Sequence, residues 1–467
     1  MAVFVTVFAI LFAIHRAQSR AEPDPIDVGR IGEVISVLRE RYVRPVDEEA
    51  LVRSALEGML SSLDPYCEFF DAEERQSFTE DTVGEYSGIG VIMRIEDGAL
   101  VVDTVVPGGP AEAAGVVEGE RLVAVDGERL PERVSSLRLV ERRVKGPSGT
   151  EVRLLLDGVA GPRDVSIVRR EIKKPSVPAA AIVDREAGIG YVRIRAFQEN
   201  TPRDFDDAVS DLLADGLRAL VLDLRFNPGG VLSSAVEIAD RFLGAGLDIV
   251  STRGRTSESN QPFVARGGND LPADVPVAVL VNGESASAAE VVAGALKDHR
   301  RAILVGTKTF GKGLVQSVET LSDRQSLLKF TSARYYTPSG RCIDRRLDGE
   351  SGVEDHGGIV PDFVVRLPAR SWNEFRRAFA AEVARSADSA EIRAAAARSL
   401  LGERNDTQLK AALDLLRGRD VVQVFRRRPP AGAEGAAGRD GEPDTAEVDP
   451  GDEEGREGGE PPAARER

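Results

Sequence analysis

A short serine-containing segment is the first candidate for chemistry. Residues 281–290 read Val-Asn-Gly-Glu-Ser-Ala-Ser-Ala-Ala-Glu, in which a strand-like run ends, a glycine turn follows and small residues begin a helix. This order can present a serine nucleophile at a helix N-terminus, as in a nucleophile elbow. Ser287 and Glu290 also match a helix capping box. The pattern leaves catalysis and capping open, and spacing alone does not separate Ser285 from Ser287.

A serine nucleophile needs a base, and few side chains here qualify. Of the three histidines, His15 lies in the apolar N-terminal segment and His299 lies about three helical turns beyond the serines. His356, in a glycine-rich loop, is the remaining histidine. Arginine stays protonated, whereas a desolvated lysine can lose its proton. Lysines are scarce among the 61 basic residues, and the sequence favours Lys312, in a glycine-flanked loop, over its rival Lys308.

The loop that carries Lys312 has a second interpretation. Residues 306–313, Gly-Thr-Lys-Thr-Phe-Gly-Lys-Gly, nearly match a phosphate-binding P-loop. However, Gly313 stands where that motif needs Ser or Thr to reach Mg²⁺, and Leu314–Val318 read as a strand instead of a helix. The sequence therefore disfavours nucleotide binding.

A third segment, Leu222–Gly230, runs from a strand through Asn-Pro-Gly-Gly into a helix. Two adjacent glycines permit unusual dihedral angles and close approach of the backbone to a ligand. Their exposed N–H groups could form an oxyanion hole. Leu222–Gly230 is therefore a candidate for stabilising the charge that develops when a serine attacks a carbonyl group.

Alternating strands and helices are predicted to position these loops. From Gly190 to about Val365 the pattern is typical of an α/β core, whose strand-flanking loops carry catalysis. Strands are predicted at Tyr191–Ile194, Ala219–Leu224, Val277–Val281 and Ala302–Val305, and helices at 202–215, 233–243 and 286–298. Upstream, residues 26–63 read as two amphipathic helices separated by Pro45, which favours a packing or dimerisation module.

Residues 84–170 resemble a PDZ domain. Short strands and two helices surround a Gly88-Ile89-Gly90 loop, and the run Pro110–Gly115 is a specific match. PDZ domains capture the carboxyl end of a partner chain, which adds to a sheet edge while loop N–H groups hold its carboxylate. The resemblance implies a peptide site at Ser87, Gly88, Ile89 and Gly90. A small β domain without a ligand is the alternative.

Composition and the chain ends narrow the function classes. The net charge of −16 argues against a nucleic-acid partner, and Cys67 and Cys342 are too few for a disulfide scaffold.

Residues 1–21 are typical of a signal peptide or an uncleaved membrane anchor, and the sequence does not choose between them. No basic residue precedes their apolar run, so we expect the natural start to lie further upstream. Residues 426–467 are predicted to be a disordered acidic tail.

Several blocks together resemble the carboxyl-terminal processing peptidases, or tail-specific proteases. The resemblance covers about residues 26–370 in family order, which makes it far more specific than any single block. The matching blocks are Leu63–Tyr66, the PDZ-like unit, Asp223–Gly230, Asn282–Glu290 with Gly294–Asp298, Thr309–Gln316, Ala333–Gly340 and Gly358–Asp362. Cys67, where the family commonly has Ser, and the irregular segment 342–356 depart from the pattern.

The resemblance implies a multidomain α/β protein whose protease core is similar to the ClpP/crotonase-like fold. It implies a Ser–Lys dyad of Ser287 and Lys312, with Gln316 orienting the lysine. Oxyanion donors would be the N–H groups of Gly229, Gly230 and Ala288. The expected organisation is a leader or anchor (1–21), a helical module (26–80), a PDZ domain (82–172), a protease core (175–370), C-terminal helices (371–425) and the acidic tail (426–467).

The predicted function is that of a serine endopeptidase that cleaves exported proteins at or near their carboxyl termini. The PDZ domain would bind free, apolar substrate tails and gate activity, in the periplasm or cell envelope, with inner-membrane anchoring and homo-oligomerisation left open. No cofactor, metal or nucleic acid is expected. The alternatives are a catalytically silent PDZ scaffold that binds carboxyl termini and a nucleotide-binding α/β protein.

Overall fold

A computed structural model describes most of the chain between residues 29 and 418. The described ranges are 29–131, 133–134, 137–267, 271–345, 357–368, 372, 374–375, 390–401 and 406–418. The predicted leader at 1–21, the predicted tail at 426–467, and His15 and His356 lie outside them. The chain divides into two units, one with residues up to 71 and 318–330, the other with 72–317 and 331 onward.

The first unit contains the predicted helical pair, α1 (Gly29–Arg41) and α2 (Glu48–Ser61). The Asp47 carboxylate caps α2 by accepting hydrogen bonds from two N–H groups of its first turn. A short strand, β1 (Glu68–Phe70), pairs antiparallel with residues 327–329. Neither helix fully buries a residue; Ile31, Val34 and Met59 are exposed, while Leu38 and Leu56 are half-buried.

The second unit begins with α3 (Ala72–Val83) and the PDZ-like domain. Its larger sheet and its helices enclose an apolar core that includes Ile89, Val140 and Val152. The elements are β2 (Glu85–Gly88), β3 (Val91–Glu96), β4 (Ala99–Val105), α4 (Pro110–Ala113), β5 (Arg121–Val125), β6 (Glu128–Arg129), α5 (Leu137–Val144), β7 (Glu151–Gly158), β8 (Gly161–Val168) and β9 (Arg170–Lys173). β3, β4, β5, β7 and β8 are neighbours in one sheet, while β2 pairs with β9.

The predicted α/β core follows, and its strand and helix positions are confirmed to within a few residues. Its first elements are β10 (Ala179–Asp184), β11 (Ile189–Arg193), α6 (Thr201–Ala214), β12 (Ala219–Asp223), α7 (Leu232–Asp240), β13 (Asp248–Gly254), β14 (Pro262–Val264), β15 (Val277–Val281) and α8 (Ala288–Asp298). The later elements are β16 (Ile303–Gly306), β17 (Leu314–Thr320), β18 (Leu327–Tyr336), β19 (Phe363–Val364), α9 (Ala390–Leu401) and α10 (Thr407–Arg417). A 3₁₀ turn lies at Ser257–Ser259.

Among the described residues, a sheet of order β10-β11-β12-β15-β16-β19 forms the centre of this core. Neighbours from β11 onward are parallel, and only the β10–β11 pair is antiparallel. Helices α6, α7 and α8 pack on one face, and residues of α9 and α10 pack on the other. Covering both faces explains why β12 and β15 read as continuous apolar runs.

Within the described ranges, no helix is long and apolar enough to cross a membrane. Cys67 and Cys342 are both free thiols.

Candidate active site

Three loops meet at the carboxyl ends of adjacent parallel strands. β12, β15 and β16 are neighbours in the sheet, and the Gly-Gly turn, the serine segment and the lysine loop follow them in that order. Carboxyl ends of parallel strands lie at one edge of a sheet, which is where open α/β folds bind ligands. The sheet order therefore brings together three segments that are far apart in sequence.

The structure separates the two serines that spacing alone could not. The Ser285 hydroxyl donates to the Leu224 carbonyl oxygen at 2.8 Å and accepts from the Asn282 N–H at 2.9 Å. Ser285 is fully buried. Its hydroxyl hydrogen is committed to fixing the turn after β15 to the end of β12, so Ser285 has a structural role.

Ser287 occupies a strained position immediately before α8. Its φ of 55° and ψ of −116° place a non-glycine residue in the left-handed half of the Ramachandran map. Such a conformation costs about 1–3 kcal/mol and persists only where the surroundings enforce it, as at active sites. The side chain stays 8% exposed at the N-terminus of a buried helix. This is the geometry expected of a nucleophile on a sharp strand-to-helix turn.

The Gly229-Gly230 turn lies directly against Ser287. A Cβ atom on Gly229 would approach the Ser287 Cβ to 2.8 Å and the Ala288 N to 3.0 Å, and one on Gly230 would collide with the Phe197 carbonyl group. Both residues have positive φ, so only glycine fits here. The turn therefore places main-chain atoms beside the candidate nucleophile.

The three predicted oxyanion donors differ in their hydrogen bonding. The Gly229 N–H donates to the Asn227 Oδ1 at 2.8 Å, so it is engaged within the turn. The Ala288 N–H belongs to the first residue of α8, and the first N–H groups of a helix have no intrahelical acceptor. Gly230 lies opposite Phe197 in a β-bridge. The bridge uses the Val231 N–H and the Gly229 carbonyl oxygen, so it does not engage the N–H of Gly230. Gly230 and Ala288 are therefore the better-placed pair.

Glu290 joins the serine segment to the lysine loop. One carboxylate oxygen accepts from the Ser287 N–H and from the Lys312 N–H, each at 2.8 Å. The other oxygen accepts from the Thr309 hydroxyl and from the Gly311 N–H. The capping interaction predicted from the sequence is thus present, and it also fixes Lys312 beside Ser287. Capping and catalysis are not alternatives here.

Burial dominates the electrostatics of Glu290, which is fully buried. Desolvation raises the pKa of this carboxyl above its ordinary value, although the hydrogen bonds from Thr309, Lys312, Gly311 and Ser287 oppose the shift. The ionised carboxylate therefore depends on these four donors.

Lys312 lies half-buried beside this junction, whereas His299 lies at the opposite end of α8. The His299 ring bonds the Asp248 carbonyl oxygen at 2.6 Å, which removes it from consideration as the base. Gln316, four residues beyond Lys312, donates from its amide nitrogen to the Thr331 hydroxyl at 2.8 Å. Its carbonyl oxygen is buried and has no hydrogen-bond partner among the described residues, so an acceptor is available in this region.

Tyr335 is a site residue that the sequence did not single out. Its hydroxyl group lies near the Ser287 side chain, and its N–H donates to the Gly313 carbonyl oxygen at 2.7 Å. Burial raises the pKa of Tyr335 to about 12. The phenol is therefore protonated at neutral pH and cannot serve as the base. The sequence feature that could have pointed to Tyr335 is its position in the family-like block Ala333–Gly340.

A buried charge cluster lies at the end of β12, where the chain leaves the sheet toward the glycine turn. The Arg225 guanidinium contacts the Asp223 carboxylate at 2.6 Å and the Asp406 carboxylate at 2.8 Å, and all three residues are buried. Tyr191 adds a hydroxyl hydrogen bond to Asp223. Burial alone would raise the pKa of Asp223, but the Arg225 charge and hydrogen bonds hold it below its ordinary value.

Replacing Asp406 with alanine is expected to destabilise the fold. Asp406 also caps α10, and its loss removes one of the carboxylates that contact Arg225 while Asp223 stays in place. Breaking a buried ion pair typically costs about 3–5 kcal/mol. Because Asp223 remains, we expect about 3 kcal/mol, measured by denaturant unfolding. Asp414→Ala, which removes an exposed pair on the same helix, is the control and should change stability by less than about 1 kcal/mol. Equal effects would refute the anchoring role.

The predicted peptide site lies in a groove of the PDZ-like domain. A cavity of about 230 Å³ is lined by the loop residues Gly88, Ile89 and Gly90 and by Val140 and Val144 of α5. Ser87, the fourth predicted residue, belongs to β2, where it pairs with Glu171, and does not line this cavity. The apolar lining between β3 and α5 suits an aliphatic side chain next to the loop.

Comparison with known protein families gives three matches, in the order of the helical module, the PDZ-like domain and the α/β core. Residues 13–74 match the activating protease CtpB N-terminal domain, 101–157 match a PDZ domain and 188–365 match peptidase family S41. A carboxy-terminal-processing protease of Bartonella bacilliformis is 38% identical over 372 residues, covering 78% of this chain and 81% of that protein. A probable CtpA-like serine protease of Staphylococcus aureus is 34% identical over 370 residues, covering 78% and 70%.

Among solved structures, the photosystem II D1 C-terminal processing protease is 32% identical, with a TM-score of 0.40, and covers 73% of this chain and 89% of that chain. The match to peptidase family S41 contains the serine segment and the lysine loop, and the PDZ match covers part of the groove domain. The extent and identity of the Bartonella match show that this chain belongs to peptidase family S41, as a serine-type peptidase of the carboxy-terminal-processing group with a PDZ domain.

Proposed function

We propose that Ser287 is the nucleophile and Lys312 the general base of this peptidase. The observation that carries the proposal is the Glu290 carboxylate, which binds the main-chain N–H groups of both residues on one oxygen. The neutral Lys312 amine takes the Ser287 hydroxyl proton as the oxygen attacks the scissile carbonyl carbon. Lys312 then gives that proton to the leaving amine, and water releases the acyl group by the reverse sequence.

The Gly230 and Ala288 N–H groups are the proposed donors to the oxyanion, with Gly229 shaping the turn that presents them. Backbone donors held rigidly at a helix start are already oriented before charge develops, which is the basis of oxyanion stabilisation. Gln316 is proposed to orient Lys312, because its carbonyl oxygen is a buried acceptor that no described residue contacts through a hydrogen bond.

The proposed substrates are proteins with free, apolar carboxyl termini. The tail would add to the edge of β3, with its last side chain in the cavity and its carboxylate at the Gly88–Gly90 loop. Tail binding would gate cleavage.

An extracytoplasmic location, in the periplasm or cell envelope, is proposed from the apolar segment within residues 1–21, whether that segment is cleaved or kept as an inner-membrane anchor. Exposed apolar residues of α1 and α2, such as Val34 and Met59, support homo-oligomerisation through the helical module.

The test uses the full chain and an unstructured protein substrate with an apolar tail. We expect truncation products with new carboxyl ends near the tail, identified by mass spectrometry, and at least about tenfold slower cleavage when the tail ends in an amide. A tenfold change corresponds to about 1.4 kcal/mol, within the range of hydrogen bonds to a charged group. Tail binding without any turnover would instead support the catalytically silent scaffold.

A further inference from the structure

The loop end of the PDZ groove carries a concentration of lysines. Lys145, Lys173 and Lys174 all line the groove cavity, in a chain that uses lysine rarely. Lys145 immediately follows α5, and its Cγ would lie 4.0 Å from a Cβ atom on Gly88. The lysine stem therefore runs beside the loop at which a substrate carboxylate would arrive. An ammonium group in this position would bind a carboxylate together with the loop N–H groups, and its positive charge would strengthen that binding.

Two of these lysines form ion pairs with acidic side chains of α3. The Lys145 Nζ lies 3.1 Å from a Glu80 carboxylate oxygen, and the Lys174 Nζ lies 2.8 Å from an Asp81 carboxylate oxygen. Both ammonium groups also lie over the Tyr86 ring, at 5.6 and 5.2 Å from its centre. The Glu80 side chain is 11% exposed, so it is held in place beside the groove. Glu80 thus places a carboxylate of the protein itself next to the site for a substrate carboxylate.

The same end of α3 is hydrogen-bonded to the protease core. The Asp81 carbonyl oxygen accepts from the Gln198 side-chain amide at 3.2 Å, and the Thr82 carbonyl oxygen accepts from the Glu199 N–H at 3.0 Å. Gly84 accepts from the Lys174 N–H at 2.7 Å. Residues 80–84 therefore contact the groove lysines on one side and the core segment 197–199 on the other.

That core segment is bound to the proposed oxyanion turn. The Phe197 N–H donates to the Gly229 carbonyl oxygen at 2.9 Å, and the Phe197 carbonyl oxygen accepts from the Val231 N–H at 2.8 Å. Phe197 thereby brackets Gly230, whose N–H is a proposed oxyanion donor. A displacement of residues 80–84 would reach the turn through two successive sets of hydrogen bonds.

We propose that Glu80 is a built-in competitor for the substrate's terminal carboxylate. When a tail fills the groove, its carboxylate takes Lys145 from Glu80, residues 80–84 loosen, and the oxyanion turn adopts its active arrangement. A ligand shifts an equilibrium only by its difference in affinity for the two states, and competition for one ammonium group supplies that difference. The proposal deepens and rests on the proposed function, and it makes tail binding activating.

The first experiment measures binding in the Ser287→Ala background, where turnover cannot interfere. A fluorescent peptide with an apolar carboxyl end is titrated as the free acid and as the amide. Adding Glu80→Gln should tighten binding of the acid about two- to fivefold, the range of a partly exposed ion pair. Lys145→Gln should remove most of the preference for the acid. Glu73→Gln, on the same helix and away from the groove lining, is the matched control.

The second experiment measures gating in the catalytically intact chain. An internally quenched peptide with an amidated end reports cleavage, and the free-acid tail peptide is added separately. In the wild type the tail peptide should raise the cleavage rate. In Glu80→Gln the rate without tail should already be about two- to fivefold higher, with a smaller further rise.

Two results would overturn the proposal: acid binding in Glu80→Gln equal to that in Glu73→Gln, or unchanged basal cleavage in Glu80→Gln. If no variant cleaves the reporter or any tailed protein, the proposed function fails instead. The binding experiment still decides the competition between Glu80 and the tail, because it needs no catalysis.

Discussion

Lys312→Met is expected to lower kcat for tailed substrates by about 10²–10⁴-fold, the contribution typical of a general base. The methionine side chain fills the same volume but cannot accept the Ser287 proton. Lys312→Arg should be as inactive as Lys312→Met, because a guanidinium group keeps its charge and does not lose a proton. The measurement is steady-state cleavage of an unstructured protein substrate with a free apolar tail, with circular dichroism to confirm folding.

Lys308→Met is the matched control, because Lys308 lies in the same loop and is the rival base. It should retain wild-type kcat. If Lys308→Met lost activity and Lys312→Met kept it, the assignment of the base would be reversed. Substantial activity in Lys312→Arg would show that this position supplies only positive charge.

The positions of the three candidate catalytic loops could be predicted because each depends on a local pattern. Apolar runs of strand length mark β12, β15 and β16, and Gly-rich or Ser-rich turns follow each of them. Parallel strands place such turns at one edge, and the family resemblance named Ser287 and Lys312 within them. The α/β core, its helix positions and the strand that follows the near P-loop match are all confirmed by the structure.

The contacts that hold those loops together could not be predicted, since they join residues distant in sequence. The Ser287–Glu290 pattern indicates only a local cap, whereas the donors from Gly311 and Lys312 come from another loop. Asp406 reaches Arg225 across 181 positions, and no periodicity signals such a pair. The roles of Ser285 and Gly229 likewise depended on which acceptors the fold places near them.

Glu290→Gln is expected to lower kcat by about 10²-fold and to destabilise the protein. A carboxylate accepts at both oxygens, but a glutamine amide accepts at one and donates at the other. Whichever way the amide turns, two of the four donors around position 290 face an NH₂ group. Each orphaned buried donor costs about 1–3 kcal/mol. The loop can relieve that cost only by moving, and a shift of about 1 Å in a catalytic group can lower the rate 10²-fold.

The measurement pairs kcat and KM for a tailed substrate with thermal unfolding and with tail binding to the PDZ groove. A loss confined to kcat and stability, with tail affinity unchanged, is the expected outcome, because Glu290 lies in the core and not in the groove. Asp298→Asn is the control, since Asp298 accepts from the Ser339 N–H at the far end of α8 and should leave kcat unchanged. A Glu290→Gln enzyme with wild-type kcat would show that the dyad keeps its geometry without the shared carboxylate, and the observation on which the dyad proposal rests would lose its force.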